Sequence, residues 1–334
     1  MSKELFQDFS EDESINQLYN ATMLPGVVSP VVGMPDIHTG YGLPIGGVMA
    51  TDGETGVVSA GAVGMDINCG VRLITTKIPT GEVDKNIISD LLKHIARRVP
   101  GGVGRGSEFT KFKKVPLEAV AKKGVEYFIE QGFGRKEDLS RIEDMGCIKG
   151  ADISAVSKNA VRRADQLGTL GGGNHFIEIG EISRIFDDKL AQQFGLNHKH
   201  IYIMIHTGSR GFGHQICTDY SNLMWRNSKK NGIKAPEKGL ACAPIVSQDG
   251  QNYLKAMACA ANYAFSNRQI ITHFVREAFT EILKKPESEL GLDILYDVAH
   301  NIAKKERYNG RRLLVHRKGA TRALPKGHED NPKC

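Results

Sequence analysis

Between residues 26 and 78 short β-branched and aliphatic runs alternate with glycine and proline, the pattern of brief strands joined by tight turns. Polar and reactive side chains in this stretch therefore fall on loops at strand ends. Over residues 86–99 apolar positions recur at helical spacing, and Arg97, Arg98, Pro100 and Gly101 mark a helix stop. The following PGGVGRGSEF reads as a loop, and the largely polar residues 111–168 read as helices of alternating charge. DQLGTLGGGNHFIEIGEI returns to glycines and then to an apolar strand, with His175 at the transition. HIYIMIHTGSRGFGHQICTDY has the form strand, glycine-rich turn, helix: residues 202–205 are the buried strand, His206 stands where it ends, and residues 208–213 form the turn. Residues 258–283 make the longest amphipathic helix candidate, followed by the strand-like LDILYDVAH and a basic end.

No repeat, low-complexity tract or clean linker interrupts this order, so a single domain over residues 1–334 is expected. The pattern lacks both regular βαβ alternation and a dinucleotide fingerprint, which disfavours a Rossmann arrangement. Lys and Arg number 44 against 38 Asp and Glu, a formal net charge of +6 that suits a polyanionic partner without demonstrating one. Six cysteines (Cys69, Cys147, Cys217, Cys242, Cys259 and Cys334) stand at irregular spacing with no CxxC pair, which reads as reduced thiols in a cytoplasm. The acidic, polar first twenty residues have neither the basic start nor the apolar run of a secretory signal, and no membrane partner is expected.

The residues with ligand chemistry are Asp66 and Cys69 in GMDINCG, His175 in GGGNHFIE, His206 in IMIHTGSRG and His300 in DVAHN. Singly, each is more often a satisfied structural residue than a ligand. Together, a carboxylate, a thiolate and imidazoles beside glycine-rich or strand-end loops favour a borderline divalent ion such as Mn²⁺, Zn²⁺, Fe²⁺ or Co²⁺ over Mg²⁺. Pattern alone does not choose between one ion and two. A second signal is HTGSRGFGHQ, where Ser209 and Arg210 sit at a helix start able to hold phosphate, the alternative being a tight turn that needs small residues. The third is basic charge: Arg97, Arg98 and Arg105 around one loop, and Arg311, Arg312, Arg317, Lys318 and Arg322 in RRLLVHRKGATR. Such clusters can contact RNA phosphates but are usually solvated faces.

MPDIHTGYGLPIGGV, GAVGMDINCGVR, LGTLGGGNHFIEI, IHTGSRGFGHQ, DVAHN and VHRKGATRA resemble, in order, the signature segments of the RtcB family of RNA ligases. The resemblance implies an α+β fold, a mixed α/β body of glycine-rich strands with surrounding helices around a central metal cleft. It further implies joining of RNA 3′-phosphate or 2′,3′-cyclic phosphate ends to 5′-hydroxyl ends with GTP and two Mn²⁺ ions, in tRNA splicing and RNA repair. Asp66, Cys69, His175, His206 and His300 fall on the family's manganese ligands, with Cys69 as the bridge. Asn174 and Glu178 match positions that contact the guanine nucleotide, and Asp36 and His38 belong to the active-site rim. The partners so implied are tRNA halves or broken RNA, GTP, and an archease-type activator.

The family's guanylylated histidine lies in a Ser-His-Gly-Ala-Gly-Arg-type segment downstream of VHRKGATRA, which the 334 residues do not contain. The expectation is therefore a C-terminally truncated body, inactive alone, with no nucleophile assigned; His316 and His328 lack the expected neighbours. Two other readings stay open: a metal-dependent phosphoesterase acting on cyclic phosphate ends, and a non-catalytic RNA-binding fragment.

Overall fold

The computed structural model describes residues 12–102 and 116–328; Arg105 lies outside the described residues. Among these, two four-stranded sheets and a two-stranded ribbon are antiparallel throughout. One sheet has the order β1 (Val27–His38), β2 (Ile45–Asp52), β10 (Arg311–Lys318), β9 (Asn301–Tyr308). The other runs β5 (Phe176–Glu181), β6 (His200–Thr207), β4 (Gly70–Pro79), β8 (Asp293–Ala299). β3 (Val57–Ser59) pairs with β7 (Cys242–Pro244). This is the mixed α/β body expected, and no parallel βαβ pair occurs among the described strands.

The helix Gln248–Leu283 is the core of the molecule and spans about 54 Å at 1.5 Å per residue. It starts ten residues before the helix read from the sequence, because Ser247 caps it, its hydroxyl accepting from the Gly250 N–H at 3.2 Å. From 256 to 272 every residue is buried, so the helix is packed all round rather than amphipathic. Alanines and aromatics fill its contacts, while Asn262, Asn267, Arg268 and Gln269 each hydrogen-bond a different neighbouring segment. The polar middle is more broken than its charge pattern implied. It forms the short helices Leu117–Lys123, Val125–Glu130 and Lys158–Val161 with intervening 3-10 turns, the first two divided at Gly124, whose φ is +54°.

The central helix is bolted to the second sheet by charge. Asp297 on β8 accepts from Arg72 Nε on β4 at 2.7 Å and from Arg268 Nε and Nη2 at 2.9 Å, and all three side chains are fully buried. Arg72 also donates to Gln269 and Thr272 on the helix. Removing one partner of such a group strands a desolvated charge. Asp297→Ala is therefore expected to lower unfolding free energy by roughly 3–5 kcal/mol in urea denaturation; a loss below about 1 kcal/mol, the value of an exposed pair, would contradict this.

β10 carries a second buried titratable group. His316 is inaccessible, its Nε2 accepts from the Ser59 N–H at 3.3 Å, and burial pushes its pKa down from 6.5 to about 4. A folded-state pKa below the unfolded one means that the neutral imidazole is favoured by folding. Its contribution is complete above about pH 6.5 and is lost as pH falls toward 4. Between pH 7 and 5 the parent is expected to lose about 2 kcal/mol more than His316→Gln, measured as the difference between their denaturation curves; parallel pH profiles would refute it.

Candidate metal centre

Antiparallel register brings four strand ends to one edge of the β5–β6–β4–β8 sheet. Gly70 at the start of β4 faces Thr207 at the end of β6 and Ala299 at the end of β8, while Phe176 at the start of β5 faces His206. The residues just outside these ends are Cys69, His300 and His175, so the pairing that fixes the sheet also gathers the side chains. Three separate sequence segments thus surround His206 without any long loop having to reach across.

The five expected ligands form one line of contacts. His175 Nε2 lies 3.0 Å from Asp66 Oδ2, Cys69 Sγ lies 3.3 Å from both His175 Nε2 and His206 Nε2, and His206 Nε2 lies 3.3 Å from His300 Nε2. The donor atoms of Cys69, His175 and His206 all fall within 4.8 Å of one another. Cys69 is therefore in the middle of the line, with Asp66 and His175 on one side and His206 and His300 on the other.

Backbone carbonyls orient the imidazoles. His206 Nδ1 is 3.0 Å from the Asn174 carbonyl, and donation there leaves Nε2 with a bare lone pair toward Cys69. His175 Nδ1 faces the Leu170 carbonyl at 3.2 Å, to which it could only donate, leaving Nε2 bare, and Arg210 Nη1 at 3.1 Å, from which it could only accept. Burial pushes the Cys69 thiol well up, aided by the Asp66 carboxylate, while Arg268 pulls it down. Burial, neighbouring imidazoles and Arg268 depress His300 to about 3, and burial with His175 depresses His206, so both stay neutral at ordinary pH. Burial also raises Asp66, but contact with His175 and the charges of His175 and Arg210 outweigh it and leave the carboxyl below the usual range. Asp66 Oδ2 is buried and faces His175 Nε2 at 3.0 Å. A thiol sulfur, three imidazole nitrogens and a carboxylate oxygen converging in a buried cluster fit a divalent transition-metal site.

The glycine-rich turn is shorter than expected, since the helix Arg210–Asn227 begins inside it. Its start is occupied from within: Asp66 Oδ1 accepts from the Ser209 hydroxyl and the Arg210 N–H, both at 3.2 Å. A Cβ at Gly208 would fall 2.4 Å from Asp66 Oδ2, so that glycine permits the carboxylate's approach. Beside Asp66 and His175 opens a cavity of about 600 Å³ lined by Arg162, Arg163, Gln166, Asn174, Arg210 and His214.

Other expected residues take different places. Asn174 and Glu178 are exposed near His175, and Glu178 accepts from the Tyr202 hydroxyl. Asp36 and His38 are exposed on β1, in the other sheet, where His38 Nδ1 contacts the Asp36 carbonyl. The basic residues of β10 divide. Arg311 and Arg312 are exposed, whereas buried Arg317 pairs with Glu306, and the Lys318 ammonium donates to the Tyr41 and Gly61 carbonyls. Arg322 approaches Glu143 at 3.3 Å, and Arg98 is paired with Glu277 and Glu281. Sequence reasoning missed Arg268, which donates to the Asn68 and Thr207 carbonyls at 2.8 Å and so holds the backbone next to two ligands. The available signal was an arginine within an otherwise apolar stretch of helix.

A model of the family described as tRNA-splicing ligase RtcB matches residues 17–334. The chain is 47% identical over 333 residues to the tRNA-splicing ligase RtcB of Methanococcus maripaludis, covering 98% of this chain and 69% of that protein. It is 43% identical over 336 residues to that of Thermococcus kodakarensis, covering 99% of this chain and 69% of that protein. It is also 44% identical over 322 residues to the RNA-splicing ligase RtcB of Mycobacterium bovis, covering 95% of this chain and 73% of that protein. Similarity of this extent, across both sheets and the segments that meet at Cys69, means that the chain belongs to the RtcB family of tRNA-splicing ligases.

Proposed function

We propose that these residues form the metal- and nucleotide-binding body of a GTP- and Mn²⁺-dependent RNA ligase. It would join 3′-phosphate or 2′,3′-cyclic phosphate ends to 5′-hydroxyl ends in tRNA splicing and RNA repair. The observation that carries this reading is the central position of Cys69 between the Asp66–His175 and His206–His300 pairs. A thiolate so placed suits a shared ligand of two ions. Bound there, paired divalent cations would neutralise and align a reacting phosphate.

The protein groups around that centre supply orientation and charge. The Arg210 guanidinium, 3.1 Å from His175 Nδ1, stands where it would meet a phosphate oxygen at the cavity, and Ser209 steadies Asp66. Asn174, which lines that cavity, and the exposed Glu178 are the proposed nucleotide contacts, and Asp36 and His38 the rim. Arg322 lines a second basic cavity with Lys149 and Lys305, where RNA phosphates would be held, with Arg317 and Lys318 bracing the adjoining strand. No nucleophile is assigned among the described histidines; His316 is wholly buried, and His328 lies against the Tyr308 ring. The proposal includes a cytoplasmic setting, tRNA halves or broken RNA as substrates, and an archease-type activator. No helix among the described residues is long and apolar enough to cross a membrane.

Mn²⁺ titration calorimetry is expected to show binding that weakens at least roughly 10- to 100-fold in Cys69→Ala, since even outer-shell losses cost that much; unchanged affinity would remove Cys69 from the centre. With Mn²⁺ and α-labelled GTP, covalent label is expected on protein that includes the family's Ser-His-Gly-Ala-Gly-Arg-type segment, and not on its Cys69→Ala variant. Label on neither, with GTP-independent opening of cyclic phosphate ends, would replace the ligase reading by the phosphoesterase.

A further inference from the structure

We propose that the C-terminal end of the helix Arg210–Asn227, with the segment after it, is a binding track for the body of a single-stranded RNA, leading away from the metal centre. The identity of the polymer rests on the ligase reading; the track itself rests on separate observations. Trp225, the only tryptophan in the chain, is 40% exposed at the edge of a cavity of about 670 Å³ that Asn222, Arg226 and Lys238 also line. Around it Arg226, Lys229, Lys230, Lys234 and Lys238 are all exposed, and none has a carboxylate at ion-pair distance among the described residues. That differs from Arg98, Arg312 and Arg317, whose charges are matched by acids. An indole face amid unmatched cations is the combination that holds single strands, with bases stacking and the backbone tracking positive charge.

The track is continuous with the centre. His214 lines the cavity beside Asp66 and His175, while Asn222 and Arg226 line the outer cavity. His214, Thr218, Asn222 and Arg226 recur every four residues, so they form one face that winds by about 120° around the helix from end to end. That face covers about 18 Å at 1.5 Å per residue, the reach of a few extended nucleotides. Beside it packs the short helix Lys158–Val161, tied to the long one by the Ser157 hydroxyl donating to Asp219; Lys158 is exposed, as are Arg162 and Arg163 just after the helix, which line the cavity beside Asp66. The carboxylates along the way are Asp165, Asp219, Glu237 and Asp249; Asp219 is engaged by Ser157 and Gln215, Asp249 accepts from Asn227, and Glu237 is half-buried. Aromatic and cation together also distinguish the RNA assignment from an acidic protein surface, which would need the charge alone.

The single indole makes the test direct. The emission of the chain would be titrated with an oligoribonucleotide bearing a 5′-phosphate and a 3′-hydroxyl, which has no reactive ends and needs neither GTP nor metal. Saturable quenching is expected, and Trp225→Ala should weaken binding of a dye-labelled copy of the oligomer roughly tenfold. The double variant Lys229→Gln/Lys230→Gln should reduce the slope of log affinity against log salt by about 1.4, some 0.7 per phosphate contact. Circular dichroism would establish that both variants are folded. Emission unmoved by RNA, or folded variants that bind with parental affinity and salt dependence, would overturn the track, and emission moved by polyglutamate but not by RNA would reassign it to an acidic protein. Guanylyl transfer is measured without RNA, so failure of the ligase reading and failure of the track appear in different assays.

Discussion

The candidate centre depends on the guanidinium of Arg268. Held by the Asp297 carboxylate, it also donates to the carbonyls of Asn68 and Thr207, each one residue away from an expected ligand. Arg72 shares the same carboxylate, so two buried cations face one buried anion. Such an arrangement would be costly in an apolar core without the surrounding amide, hydroxyl and carbonyl partners. Its surplus positive charge lies beneath Cys69, and Arg268 pulls that thiol toward ionisation while helping to hold His206 and His300 neutral. The group that secures the backbone thus also opposes the burial that holds the Cys69 thiol well up, and adds to the burial that keeps the two imidazoles neutral.

The candidate ligands could be picked out in the sequence because four of the five lie beside glycine-rich or strand-end loops. Their meeting was not. It requires β4 to pair on both sides, with β6 and β8, and hydrophobic alternation does not name a strand's partner. The Arg72–Asp297 contact joins positions 225 residues apart, a separation that local pattern does not reach. Boundaries failed for local reasons. The central helix begins early because Ser247 caps it, although Gly250 within its first turn resembles a loop residue. The glycines at 208 and 213 read equally well as a phosphate turn. They are needed because Asp66 packs on the first and the Ser209 hydroxyl lies 1.9 Å from where a Cβ of the second would stand.

Charge was the least legible property, since composition counts cations without counting their partners. VHRKGATR appeared as a basic run, yet Arg317 is matched to Glu306 and Lys318 is directed at two carbonyls inside the body. Strand alternation with both faces covered makes such residues internal, and burial lowers the Lys318 pKa to about 8. The segment from Arg226 to Lys238 drew no notice in the sequence because turns interrupt it, and there the cations stay in solvent.

A single helix connects these two uses of charge. Its N-terminus meets the Asp66 carboxylate, and its last turn carries Arg226, so both ends satisfy the helix dipole. The carboxylate is needed at the first end by the centre, which leaves the other end free to carry positive charge outward without electrostatic conflict. Small buried residues along the inner face, including Gly213 and Cys217, keep the helix close to the core while His214, Thr218, Asn222 and Arg226 line its outer face. The polarity of this helix therefore fixes a direction on the surface: an anionic strand held at its basic end is led toward the cavity where Arg210, His175 and Asp66 stand.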